Sequence, residues 1–193
     1  MALRRLPGHT WVRAPTLWRV KTIHEEFEYD HPPTELFTLL GDGTFQLEII
    51  SHLGGNDPEL VEHTASPDGG LKLVTRQRTS VELPGFAKKL IPASTTVVQT
   101  YLWEPSRGDG SRKGSWSAEV KGAPVSMGGS TEVRPNGTGA SHIFTGEVKA
   151  SVPLVGGKLE SFALDNLRRD LARAAEFTAG RLAAGEKAPR EHR

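Results

Sequence analysis

The sequence predicts an α+β protein, in which a short-linked antiparallel sheet follows two short helices and is closed by one long C-terminal helix. Three observations predict it. Between Pro58 and Leu154 apolar residues alternate at the strand period, and the links between runs are short and rich in glycine and proline. Ahead of that region, "HPPTELFTLLGDGTFQLEIISHLGG" carries helical spacing. Behind it, from Lys158, leucines recur every three or four residues. With 193 residues, 36% of them hydrophobic and 24% charged, one domain with tails is expected. Its boundaries fall at a basic arm over 1–21, a folded unit over 22–184 and a polar tail over 185–193.

The first element, "KTIHEEFEYD", puts Ile23, Glu25, Phe27 and Tyr29 on one face, as a strand requires. Pro33 then suits a first helical turn, Leu36, Phe37 and Leu40 share a side, and Gly41 with Gly43 splits the segment into two helices. Gly54 and Gly55 close the second. "LKLVTRQRTSVEL" places Leu71, Leu73, Thr75, Gln77, Thr79, Val81 and Leu83 on one side. Further strands are "TTVVQTYLWE", "GSWSAEVKG", "SMGGSTEVRP" and "SHIFTGEVKASVPL", the last running to Leu154. Asn136-Gly137 predicts a type I′ hairpin turn, whose two centres both need positive φ. Leu164, Leu167, Leu171, Ala174, Thr178 and Leu182 form the stripe of the final helix. About 27 residues at roughly 1.5 Å each span some 40 Å, enough to cross the sheet.

Composition narrows the chemistry. No cysteine occurs, which excludes disulfides and thiolate chemistry and fits a reducing, cytoplasmic setting. No run approaches the roughly 18 apolar residues of a membrane span. Residues 1–21 carry Arg4, Arg5, Arg13, Arg19 and Lys21 and no acid, so the remaining chain is acidic on balance. Pro7 and Pro15 break any helix there; a poorly ordered terminus, or a stretch upstream of the true start, is favoured over an arm for membrane or nucleic acid. Arg76 and Arg78 make no nucleic-acid patch, and no nucleic-acid partner is expected. The seven histidines are scattered, without HExxH or His-x-His spacing, and no GxSxG elbow or phosphate loop occurs. No metal, cofactor or catalytic residue is assigned.

One strand, two short helices, a run of antiparallel strands and a long terminal helix resemble the helix-grip fold of START-like lipid-transfer, plant-allergen and polyketide-cyclase proteins. More narrowly, "LPGFAKKLIP", "YLWEP", "KGAPVSMGGSTEV" and "GEVKASVPLVGGKLE" resemble a mainly actinobacterial START-like (SRPBCC) family with no established reaction. The likeness runs from about Thr22 to Ala184. It implies a curved sheet wrapped around the terminal helix, with Gly156 and Gly157 turning the chain and Lys158 starting the helix. It further implies a space for sterols, lipids, isoprenoids or polyketide-like molecules.

An empty apolar cavity of about 300 Å³ would destabilise a domain by roughly 7 kcal/mol, so such a space must be filled, wet or collapsed. Thr75, Gln77 and Thr79 between Leu73 and Val81 favour a wet, ligand-accepting interior, provided the strand phase is right. Trp116, Ala118, Val120, Met127, Phe144 and Val148 are the expected apolar wall, and Leu164, Leu167 and Leu171 the expected helix side. In "LPGFAKKLIPAS", Phe86, Leu90 and Ile91 share one side of a helical turn, with Lys88 and Lys89 elsewhere. The readings that stay open for 84–92 are a lid over the pocket or a patch that touches anionic membrane, and against these a loop capping the core. The expected function is carriage of a hydrophobic small molecule. Against it stand a cyclase-, dehydratase- or hydrolase-like enzyme using Glu25, Tyr29 or His63 as acid or base, and a partner-binding module with a collapsed core. Oligomeric state is not legible.

Overall fold

The computed structural model describes residues 21–80 and 82–185; the basic arm up to Val20, Val81 and the tail from Glu186 lie outside the described residues. In chain order the elements are β1 (Lys21–Tyr29), α1 (Pro33–Leu40), α2 (Gly43–His52), β2 (Asn56–Ala65), β3 (Leu71–Ser80), β4 (Ser94–Trp103), β5 (Arg112–Val120), β6 (Val125–Asn136), β7 (Gly139–Ala150) and α3 (Gly156–Ala183). The strands form one curved antiparallel sheet ordered β1-β7-β6-β5-β4-β3-β2, the helix-grip arrangement. β1 and β2, neighbours in sequence, are its two edges. A hairpin cannot join opposite edges, so α1 and α2 carry the chain across. Asp42 caps α2, its carboxylate accepting from Phe45 N at 2.7 Å, and Gly54 follows the helix with φ +91°.

β3 has the phase the alternation predicts. Leu71, Leu73, Thr75, Gln77 and Thr79 oppose Trp103, Tyr101, Gln99, Val97 and Thr95 of β4, so both rows share the inner face. Three local expectations are corrected. β2, legible only as part of a strand-and-turn region, is a full edge strand whose register shifts between Asn56 and Glu59 and between Leu60 and Glu62. The β6–β7 hairpin turns on Gly137 and Thr138, with Asn136 already paired to Gly139. Of its residues Gly137 alone has positive φ, the pattern of type II′ rather than I′.

The third correction concerns "SVPLVGGKLE". β7 stops at Ala150, not Leu154, and the chain turns at Leu154, which has φ +67°. Gly156 and Gly157 are the first helical residues rather than the hinge. A Cβ on Gly156 would meet the Ala150 carbonyl oxygen at 3.0 Å, so glycine allows the close approach of helix start to strand end. Leu159 is fully buried, and the Glu160 carboxylate accepts from Ala150 N at 3.0 Å. The motif is a strand-to-helix clamp.

α3 packs chiefly on β1 and β7 and touches α2. Its N-terminal half joins Ile23, Val97, Trp116, Phe144 and Val148 in one cluster, while its C-terminal half joins Tyr29, Leu36, Phe45, Trp103 and Val133 in a second. Because the helix sits toward the β1 edge, the inner face of β3, β4 and β5 is left partly uncovered.

Candidate ligand cavity

The uncovered face becomes a cavity of about 230 Å³. Its floor is Gln77 and Thr79 of β3, Thr95 to Tyr101 of β4 and Trp116 to Val120 of β5, with Met127 and Phe144 beyond. Its other walls are Ile49 and Ile50 of α2, Leu53 just after it, and one face of α3 made by Phe162, Ala163, Asn166, Leu167, Asp170, Leu171 and Ala174. Leu83, Ile91 and Pro92 complete the rim. A smaller inner lobe of about 60 Å³ shares Gln46, Ile49, Tyr101, Phe144, Leu171 and Ala174 with it and extends toward Tyr29, Trp103, His142 and Thr178.

Glycines shape the floor. A Cβ on Gly146 would come 2.9 Å from Trp116 Cζ2, and Trp116 Nε1 donates to Thr145 O at 3.2 Å. The edge of the indole is thus seated against β7 at Thr145 and Gly146, and the side chain lines the cavity. His142 is held 2.9 Å from Thr131 Oγ1 and against the rings of Phe144 and Trp103, at 4.4 and 6.1 Å. Burial pushes its pKa down from 6.5 to about 3, so it is a neutral imidazole. Burial likewise raises Tyr101 to about 12 and lifts Tyr29 further, keeping both phenols protonated. Asp170 at the rim is held above the ordinary carboxylate value by partial burial, opposed by Arg173 and Arg169.

Gln77, Thr79, Trp116, Met127, Phe144, Leu167 and Leu171 line the cavity. The other six expected residues do not. Leu73 and Thr75 face inward but are buried in the region where α2 crosses β2 and β3. Val148 and Leu164 are sealed in the cluster between α3 and the β1 edge. Phe86 and Leu90 are off the wall, because the inward stripe of the 83–92 segment is Leu83, Ala87 and Ile91, spaced by four. Ala87 N donates to Pro84 O and Ile91 N to Ala87 O, a helical turn rotated from the expected one. Of the acid-base candidates, Glu25 is ion-paired with Arg168 at 3.0 Å and His63 Nε2 donates to Gly41 O at 2.8 Å, both off the cavity; Tyr29 reaches the inner lobe. Among the described residues no group of three metal-ligating side chains comes together. Gln99 and Tyr101 went unassigned although they continue the alternation from Val97 to Trp103. Asn166 and Asp170, four apart beside the leucine stripe, carried a similar signal.

The family described as "Protein of unknown function (DUF2505)" matches residues 25–182. The chain belongs to this family. The DUF2505 chain shares its fold with solved structures of low identity. TTHA0849 from Thermus thermophilus superposes with a TM-score of 0.60 at 13% identity, covering 86% of this chain and 99% of that one. Ms6760 from Mycobacterium smegmatis gives 0.52 at 11% identity, covering 86% and 98%. A STAR-related lipid transfer protein fragment from Xanthomonas axonopodis gives 0.49 at 14% identity, covering 79% and 85%. No curated protein matches the DUF2505 chain. None of its described helices is long and apolar enough to cross a membrane.

Proposed function

We propose that this chain binds and carries a hydrophobic small molecule in the cytoplasm, held between the sheet and α3. The supporting observation is the cavity itself. It is walled by Ile49, Ile50, Trp116, Met127, Phe144 and Leu171 and filled by no protein atom. Left empty, about 230 Å³ would destabilise the fold by roughly 5 kcal/mol, a large part of a domain's stability. Gln77, Thr79, Gln99 and Asn166 supply orienting hydrogen bonds along the walls. Native mass spectrometry of freshly purified protein, with extraction of bound material, tests for a resident ligand. Nile red titration tests the site: A174W, at the waist shared by both lobes, is expected to weaken dye binding at least tenfold while the protein stays folded. Full dye binding by both A174W and the outer-lobe variant A163W overturns the reading.

Exchange with a membrane surface through 84–92 belongs to the same proposal. Phe86 is 36% exposed beside exposed Lys88 and Lys89, and Leu154 is 102% exposed in a left-handed conformation unfavourable for leucine. The two sit at one end of the molecule, since the β5–β6 turn reaches both segments. Pro124 O accepts from Ser151 N at 3.0 Å, and a Cβ on Gly122 would lie 3.6 Å from Pro92. Exposed apolar side chains beside lysines suit an anionic bilayer, each lysine contributing about 1 kcal/mol. Asparagine tolerates positive φ, so L154N is expected to preserve or slightly raise stability while lowering co-sedimentation with phosphatidylserine vesicles several-fold. Unchanged sedimentation of L154N and of K88E/K89E sinks the membrane contact.

A further inference from the structure

Two features of the cavity bear on what kind of molecule it holds. The first is its charge. Among the described residues neither lobe is lined by any lysine or arginine, and the single ionisable acid is Asp170 at the rim. A carboxylate or phosphate drawn inside would lose its water and meet no cation. His142 cannot substitute, because it is neutral near pH 7.

The second feature is the inner lobe. Tyr29 is only 6% exposed, yet neither its hydroxyl nor that of Tyr101 has a hydrogen-bond partner among the described residues. The sealed side-chain atoms left unpartnered among those residues are Gln77 Oε1 and Ser141 Oγ. The two phenol hydroxyls are therefore not sealed, and the space both side chains border is the inner lobe. A buried hydroxyl that keeps no protein partner needs water or a ligand atom. The lobe's about 60 Å³ admits a terminal group of a few heavy atoms, since one water needs roughly 10–15 Å³ by this measure.

We infer that the ligand is an uncharged amphiphile whose hydroxyl or carbonyl end seats in the inner lobe against Tyr29 and Tyr101, with its apolar body along the larger cavity. The inference rests on the carriage reading above. Phenol O–H groups donate to a carbonyl or alcohol oxygen, and an alcohol can return a proton to a phenol oxygen. Phe27, Leu40, Trp103 and Phe144 form apolar parts of the remaining wall, which also carries Gln46, His142 and Thr178. Fatty acids and phospholipid headgroups fall outside the predicted class; long-chain alcohols, ketones and unesterified isoprenoid or sterol alcohols fall inside it.

The test is displacement of Nile red by 1-dodecanol, dodecanoate and dodecylamine at pH 7.5 from the wild-type chain and from Y29F/Y101F. Any apolar pocket prefers an alcohol to its carboxylate, so the double variant is the deciding arm. Dodecanol is expected to bind the wild type at least tenfold more tightly than dodecanoate. The double variant is expected to lose about five- to tenfold in dodecanol affinity, each displacement being referred to the dye affinity measured for the same protein. Dodecanoate or dodecylamine binding as tightly as dodecanol overturns the uncharged class. A full alcohol preference in the double variant overturns the seat. No dye binding in the wild type means the carriage reading has failed, and this inference with it.

Discussion

Replacing Phe45 by alanine is expected to lower the unfolding free energy by about 3–5 kcal/mol. Phe45 is 1% exposed and ties α2 to α3. Its ring stacks on Phe177 at 5.7 Å, and the Arg181 guanidinium lies 5.5 and 5.7 Å from the two ring centres while pairing with Glu48. These contacts, with the His52–Phe177 stack at 4.5 Å and the Arg173 hydrogen bond to His52 O at 2.7 Å, make up the joint between the two helices. Against a total of about 5–15 kcal/mol the loss is severe. Urea unfolding followed by tryptophan fluorescence measures it. A loss under 1 kcal/mol would mean that the α2–α3 joint is not packed as described.

The second large effect is a pH dependence. The folded protein keeps His142 neutral down to about pH 3, whereas the unfolded chain protonates it near 6.5. Between those values the unfolded state holds the extra proton, so stability is complete above 6.5 and falls as the pH is lowered. Each pH unit within the window changes the His142 contribution by up to about 1.4 kcal/mol, so this group alone takes away about 2 kcal/mol between pH 7.5 and pH 5. Thr131, Trp103 and Phe144 surround the ring, and none of them titrates in that range. The carboxyls of Glu26, Asp68 and Asp109 are held below their ordinary values by hydrogen bonds and titrate at lower pH. Chemical denaturation of wild type and H142Q from pH 5 to 7.5 separates this contribution. Parallel curves for the two proteins would remove His142 as its source.

His142 also shows where the sequence stops being informative. Nothing in "SHIFTGEV" distinguishes a histidine buried against aromatic rings from one in water. Its environment is made by Thr131 of β6 and Trp103 of β4, with Phe144 two residues on. The glycine of "TGEV" is similar, because its role of seating the Trp116 ring exists only once β5, β6 and β7 are paired.

What could be read along the chain was whatever repeats locally. The alternation in "LKLVTRQRTS" is set by the two-residue period of a strand, and it placed Gln77 and Thr79 on the inner face correctly. The leucine spacing of α3 likewise assigned Leu167 and Leu171 to the buried side. Local period says which face points inward, but not what comes to lie on that face. The offset of α3 toward β1 and β7 sealed Val148 and Leu164 into the core, and the crossing of α2 covered Leu73 and Thr75. The same offsets left Gln99, Tyr101, Asn166 and the Tyr29 lobe open. Contacts between elements far apart in sequence set those offsets, so the cavity's place and chemistry emerge only when the sheet and helices pack together.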